Sequence, residues 1–137
     1  MFRKTLAACI CALSILSATS AEARHHRHHH SMSNSGAGVI GGRPAGCPSR
    51  FCGCGASLHL FGRIIPSLNL AANWLRFPRA APAPKMAAAR RGHVFVLEQH
   101  IQGNTWLVFD ANSGHHATRL HARSIAGFAI VNPFGST

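Results

Sequence analysis

Residues 93–109 carry the pattern that most narrows the fold. Val94-Phe95-Val96-Leu97 is an unbroken β-branched and apolar run, Gln102-Gly103-Asn104 is a turn signal, and Thr105-Trp106-Leu107-Val108-Phe109 is a second β-forming run. Two such runs around a short glycine turn predict an antiparallel hairpin, with residues 93–100 as its largely buried strand. A further polar turn at Asn112-Ser113-Gly114-His115-His116 predicts a third strand over about 117–120, and residues 127–131 supply a last one. The core of this chain is therefore an antiparallel sheet.

Two helices are expected before it. Cys52, Ala56 and Leu60 fall at i, i+4 and i+8, which predicts a helix over 52–61. Gly53 and Gly55 weaken that helix by ~1 kcal/mol each relative to alanine, but they would let a substrate backbone approach its first turn. Pro66-Ser67 starts a second helix, which Pro78 stops after Phe77. Leu68, Ala71, Ala72 and Leu75 form its inward face, extended by Trp74 and Phe77. Residues 78–84 are an Ala/Pro-rich connector. Helices followed by an antiparallel meander predict an α+β domain, its N-terminal helices packed on a small antiparallel sheet.

Three segments are expected. Arg3 and Lys4, the apolar stretch 6–16 and Ala21-Glu22-Ala23 read as a secretory signal peptide over 1–23. Its apolar stretch is too short for a membrane span, which needs ~20 residues. Residues 24–41 begin with Arg24-His25-His26-Arg27-His28-His29-His30, continue rich in Ser, Asn and Gly, and read as a disordered cationic spacer. Residues 42–137 form the folded domain.

Loss of the leader removes two of the 14 Lys and Arg and one of the three acids, leaving Glu98 and Asp110 as the only carboxylate side chains. An exported chain this basic favours an anionic cell-envelope polymer as partner. It carries no sign of specific nucleic-acid recognition, because the arginines are scattered and tyrosine is absent.

Three cysteines remain after the leader: Cys47, Cys52 and Cys54. An odd number in an oxidising compartment points to one disulfide and one free thiol. Cys52 and Cys54 are too close in sequence for good disulfide geometry. Cys47 could pair with Cys54, freeing Cys52, or with Cys52, silencing it. A free Cys52 at a helix start would have its thiolate stabilised by the helix dipole and by unpaired N–H groups. A neighbouring histidine cation would lower its pKa further.

His93 opens the hairpin strand, and strand parity tests it for a third group. Whether Gln102-Gly103 or Gly103-Asn104 forms the turn, Asn112 falls on the His93 face. Asp110 shares that face. Either could hold the second imidazole nitrogen, as the third member of a catalytic triad does.

Four motifs in this order carry a resemblance. They are Arg50-Phe51-Cys52-Gly53, Asn69-Leu70-Ala71-Ala72-Asn73-Trp74, Gly92-His93-Val94 and Asp110-Ala111-Asn112-Ser113-Gly114. Together with the closing Ala122-Arg123-Ser124 segment, they resemble small bacterial proteins of the NlpC-type and CHAP cysteine peptidase/amidase superfamily. The resemblance covers about residues 42–133. It implies a papain-like fold and hydrolysis of amide bonds, with peptidoglycan peptides as substrate class. By position it implies Cys52 as nucleophile, His93 as base and Asn112 as orienting group, with no cofactor and no metal. The chain departs from those relatives around the nucleophile, where Phe51, Cys54 and Gly55 stand in place of tryptophans.

Two rival readings differ in class. One is a non-catalytic, cationic envelope-binding module of the same fold. The other is a metal site built from Cys47, Cys52, Cys54 and His59, whose C-x4-C-x-C spacing is poor for zinc.

Overall fold

The computed structural model describes residues 38–135. The expected leader and its histidine-rich sequel lie outside them. Six strands, β1 (Gly38–Gly41), β2 (Ala87–Arg90), β3 (His93–Gln102), β4 (Thr105–Ser113), β5 (Ala117–Ser124) and β6 (Ala129–Val131), form one sheet. Its order is β1-β5-β4-β3-β2-β6, with every pairing antiparallel. One α-helix, α1 (Cys52–Phe61), precedes the central strands. Among the described residues, no helix is long and apolar enough to cross a membrane.

The sheet is apolar on both faces. Val94 and Val96 of β3, with Ala87 and Ala89 of β2, pack against Cys52, Ala56, Leu68, Ala71 and Trp74. The alternate residues Ala88, Phe95 and Leu97 pack with Trp106, Val108 and Ile125 on the other face. Period-two alternation therefore sorts one continuous apolar run into two cores. Full burial of each large side chain contributes roughly 1.5–3 kcal/mol.

Helix α1 spans the residues its apolar spacing predicts, and Gly62 closes it with a left-handed φ of 67°. Its glycines have a different use from the expected one. A Cβ on Gly53 would lie 2.1 Å from the Leu68 carbonyl oxygen, and one on Gly55 would lie 2.3 Å from the Ala111 Cβ. The space they leave is taken by the chain itself, not kept for a substrate. A Cys47–Cys54 disulfide ties the preceding loop to the same helix. Closing so short a loop is worth about 2.5 kcal/mol by chain entropy. At the other end, the His59 ring stacks on Phe109 at 3.9 Å between centroids, and its Nε2 donates to Glu98 Oε1 at 2.6 Å.

The second helix does not form as expected. Two short 3₁₀ helices, Pro66–Leu68 and Ala71–Arg76, replace it, with Leu70 extended between them. In a continuous α-helix the Leu68 carbonyl would accept from the Ala72 N–H. Here it accepts from the Trp74 indole at 2.8 Å. The buried residues Leu68, Ala71 and Trp74 recur every third position, the 3₁₀ period, and Ala72 faces outward.

Two strands lie outside the sequence expectation. Strand β2 is three fully buried alanines and an arginine, a composition that favours helix. It is nonetheless the strand between β3 and β6. Alanine leaves room there for the 3₁₀ layer to pack close, and packing overrides propensity. Strand β1 belongs to the segment expected before the domain. It pairs with β5 through its backbone, and Val39 and Ile40 stay exposed, so burial patterning carries no trace of it.

Gly53→Ala should destabilise the domain by at least about 2 kcal/mol, because backbone carbonyls cannot yield to the new methyl as a flexible side chain could. Gly92→Ala, where a Cβ meets nothing within 4 Å, is the control. Urea midpoints would check both, and equal midpoints would mean that the Leu68–Asn69 segment moves freely.

Candidate active site

Cys52 is the free cysteine among the described residues, and it begins α1. Phe51 precedes it without any side-chain cap, so no N-cap side chain accepts from the first-turn N–H groups. The thiol lies within range of His93 and of the backbone N–H groups of Val94 and Gly53, all of which favour its ionised form. Burial pushes the Cys52 pKa up, but the His93 hydrogen bond, its charge and the two amides outweigh this and leave it below the ordinary thiol value. A thiolate with an imidazolium beside it is the activated form of a cysteine nucleophile.

His93 Nε2 donates to Asp110 Oδ1 at 2.7 Å. Nδ1 is then the ring nitrogen that this bond leaves free. Burial alone would lower the His93 pKa. Hydrogen bonds to Asp110 and Cys52 raise it to about 9. The Asp110 side chain is 0% exposed. Burial raises its pKa, yet the His93 bond, then His121 and Arg123, bring it down to about 2. Its Oδ2 accepts from His121 Nε2 at 3.1 Å and from Arg123 Nη1.

The expected orienting group is Asn112, and the structure does not bring it to His93. The hairpin turns at Gly103-Asn104, with Gln102 opposite Thr105, and two one-residue shifts follow along the ladder. They add up to a two-residue offset, so Val96 faces Phe109 and the original sharing of faces is restored at the site. Asn112 nonetheless leaves the face, because the β4–β5 register shifts between Asp110 and Ser113 and Asn112 adopts a φ of 58°. Its side chain accepts from His116 Nδ1 at 2.9 Å, as a turn former does. Asp110 is the last residue of that face before the shift, and it takes the role geometrically. His121 and Arg123 escaped the sequence reading because the third strand was expected to end near residue 120. Their alternation with Arg119 along a longer strand is the signal that could have found them.

The alternative cysteine pairings are settled by the Cys47–Cys54 bond. It also takes two of the four ligands from the metal-site reading, whose His59 is engaged by Glu98. A concavity of about 150 Å³ is lined by Ser67, Leu68, Asn73, Arg76 and Phe77, and one of about 420 Å³ by Pro82, His100, Gly103, Asn104, Trp106 and Ile125. Neither includes Cys52 or His93. No family model, curated protein or solved structure matches the chain.

These shifts link the site to stability. Asp110 titrates lower in the folded chain, so its contribution is present above ~4 and is lost as pH falls towards about 2. His93 titrates higher, so its contribution is complete below ~6.5 and is lost as pH rises through about 9. The urea midpoint should be highest between ~4 and ~6.5, and Asp110→Asn should flatten both flanks. Flanks unchanged in that variant would place the pH dependence elsewhere.

Proposed function

We propose that the chain is an exported cysteine hydrolase that cleaves amide bonds, with peptidoglycan peptides as its substrate class. The observation that carries this reading is that His93, bonded to the buried Asp110, is also the side chain that acts on the Cys52 thiol at the start of α1. In the proposed mechanism the Cys52 thiolate attacks the scissile carbonyl while the first-turn N–H groups face the developing oxyanion. The His93 imidazolium gives its proton to the leaving amine, and the neutral ring then takes one from water as the thioester is hydrolysed. Asp110 holds the ring orientation and stabilises the imidazolium, the part that the sequence assigned to Asn112.

The substrate class rests on the NlpC/CHAP resemblance and on the charge, which favours an anionic envelope polymer; a papain-like fold is part of the same proposal. One observation favours a second reading, a non-catalytic envelope-binding module: Cys52 is only 5% exposed.

Purified mature protein incubated with muropeptides under reducing conditions should give amide-cleavage products resolved by mass, and Cys52→Ser should abolish them. Asp110→Asn should lower the rate by at least about tenfold, because triad-type members act as a unit, whereas Asn112→Ala should leave it within about twofold. Products that persist undiminished in Cys52→Ser would reject the nucleophile, and absence of products from the wild type would favour the binding module.

Alkylation tests the thiol without a substrate. Iodoacetamide should modify Cys52 in the folded chain with an apparent pKa below the ~8.5 of a free thiol. His93→Gln should move it above that value, since burial then acts without the imidazolium. An unchanged profile in His93→Gln would mean that the imidazole does not act on the thiol.

A further inference from the structure

An ionised carboxylate only accepts hydrogen bonds, and its two oxygens hold all of that capacity. Asp110 divides it. Oδ1 serves His93, and Oδ2 serves both His121 and Arg123. Arg123 Nη1 also lies 3.3 Å from His93 Nε2. Both nitrogens donate to Asp110, so this is no hydrogen bond but two cationic groups drawn together by one anion. The guanidinium is fixed there from behind, 4.6 Å over the Phe95 ring and 5.5 Å from that of Phe128, and these rings meet edge-on at 4.7 Å.

The remaining charges near the cluster point elsewhere. Arg119, opposite Asp110 on β5, donates to the Gly114 carbonyl. Arg90, opposite His93 on β2, lies over Phe128. Cys52 on α1 is coupled to the imidazole of His93. The groups that meet Asp110 itself are therefore His93, His121 and Arg123, and of these only Arg123 is charged at every working pH.

We propose that Arg123 is a positioning residue that limits how tightly Asp110 holds the proton on His93, and that it thereby sets the alkaline edge of the thiolate–imidazolium pair. The inference rests on the nucleophile and base reading of Cys52 and His93. Paired with Arg123, Asp110 presents His93 with an oriented dipole and not a full negative charge. Unpaired, a carboxylate shut off from solvent would make His93⁺ its chief counter-ion. The ring would then be slow to give up the proton that the leaving amine needs. His121, 31% exposed, is a second donor on the same oxygen.

The test is the NMR titration of the His93 ring in the full chain, made in a Cys52→Ala background so that thiol and imidazole do not titrate as a coupled pair. The signal is assigned by its loss in His93→Gln. Arg123→Gln should move the loss of the His93 proton alkaline by about one pH unit, and Arg123→Lys, which keeps the charge, should restore the starting position. His121→Lys places a permanent second cation on Oδ2 and should move His93 the other way, which tests the coupling even if Arg123→Gln does not fold.

A residue that merely braced the cluster would, when lost, free His93 from Asp110 and shift it acidic. That result, or a His93 titration unmoved by both Arg123→Gln and His121→Lys, would overturn the proposal. Cys52 alkylation in the otherwise wild-type chain separates the two readings. A slow Cys52 beside a shifted His93 would reject the nucleophile and leave the Arg123 coupling standing. A fast Cys52 beside an unmoved His93 would do the reverse.

Discussion

A carboxylate without solvent exposure is the constraint on which the site end of the sheet depends. Stranding Asp110 without partners would cost several kcal/mol, and a group so placed would protonate sooner than remain charged. It stays ionised because β3 and β5, flanking β4 on either side, each deliver cationic donors to it. Those strands must hold their registers for this to happen. The two ladder shifts in the hairpin are tolerable only as a pair, since one alone would turn His93 to the opposite face from Asp110.

The nucleophile depends on a second constraint, close approach. Cys52 can reach His93 only if α1 lies tight against the sheet and against the segment that follows it. Gly53 and Gly55 permit this by accepting the Leu68 and Asn69 carbonyls and the Ala111 methyl into the space of absent side chains. The Cys47–Cys54 bond fixes the loop leading into the helix and leaves Cys52 as a thiol. The 3₁₀ helices belong to the same arrangement. The Leu68 carbonyl that meets Gly53 is also the acceptor of the Trp74 indole, and that bond excludes a regular helix. Helix glycines that look permissive towards a ligand are here used up by the fold.

Both carboxylates of the described residues are held by histidines, in different settings. Glu98 and His59 form a half-exposed pair that joins the end of α1 to β3. Such pairs contribute at most about 1 kcal/mol. Asp110 is buried and multiply bonded, which gives its charge a long reach in a less polar surrounding. In so basic a chain, anions are scarce, and the one enclosed by the sheet gathers the cations around it.

By itself the sequence determined the elements whose signals are local. Spacing of Cys52, Ala56 and Leu60 defined α1, two β-forming runs around a glycine turn defined the central hairpin, and parity placed both Asp110 and Asn112 on the His93 face. Only the tertiary structure chose between those two, because a register shift against β5 turns Asn112 away. It also decided that three alanines form a strand within the sheet, that Gly38–Gly41 joins it at an edge, and that residues 66–76 wind as 3₁₀ helices. The Arg123 and His121 contacts with Asp110 arise in the same way. In each case the deciding interaction is a backbone pairing or a polar contact between residues far apart in the chain, and hydrophobic periodicity records neither.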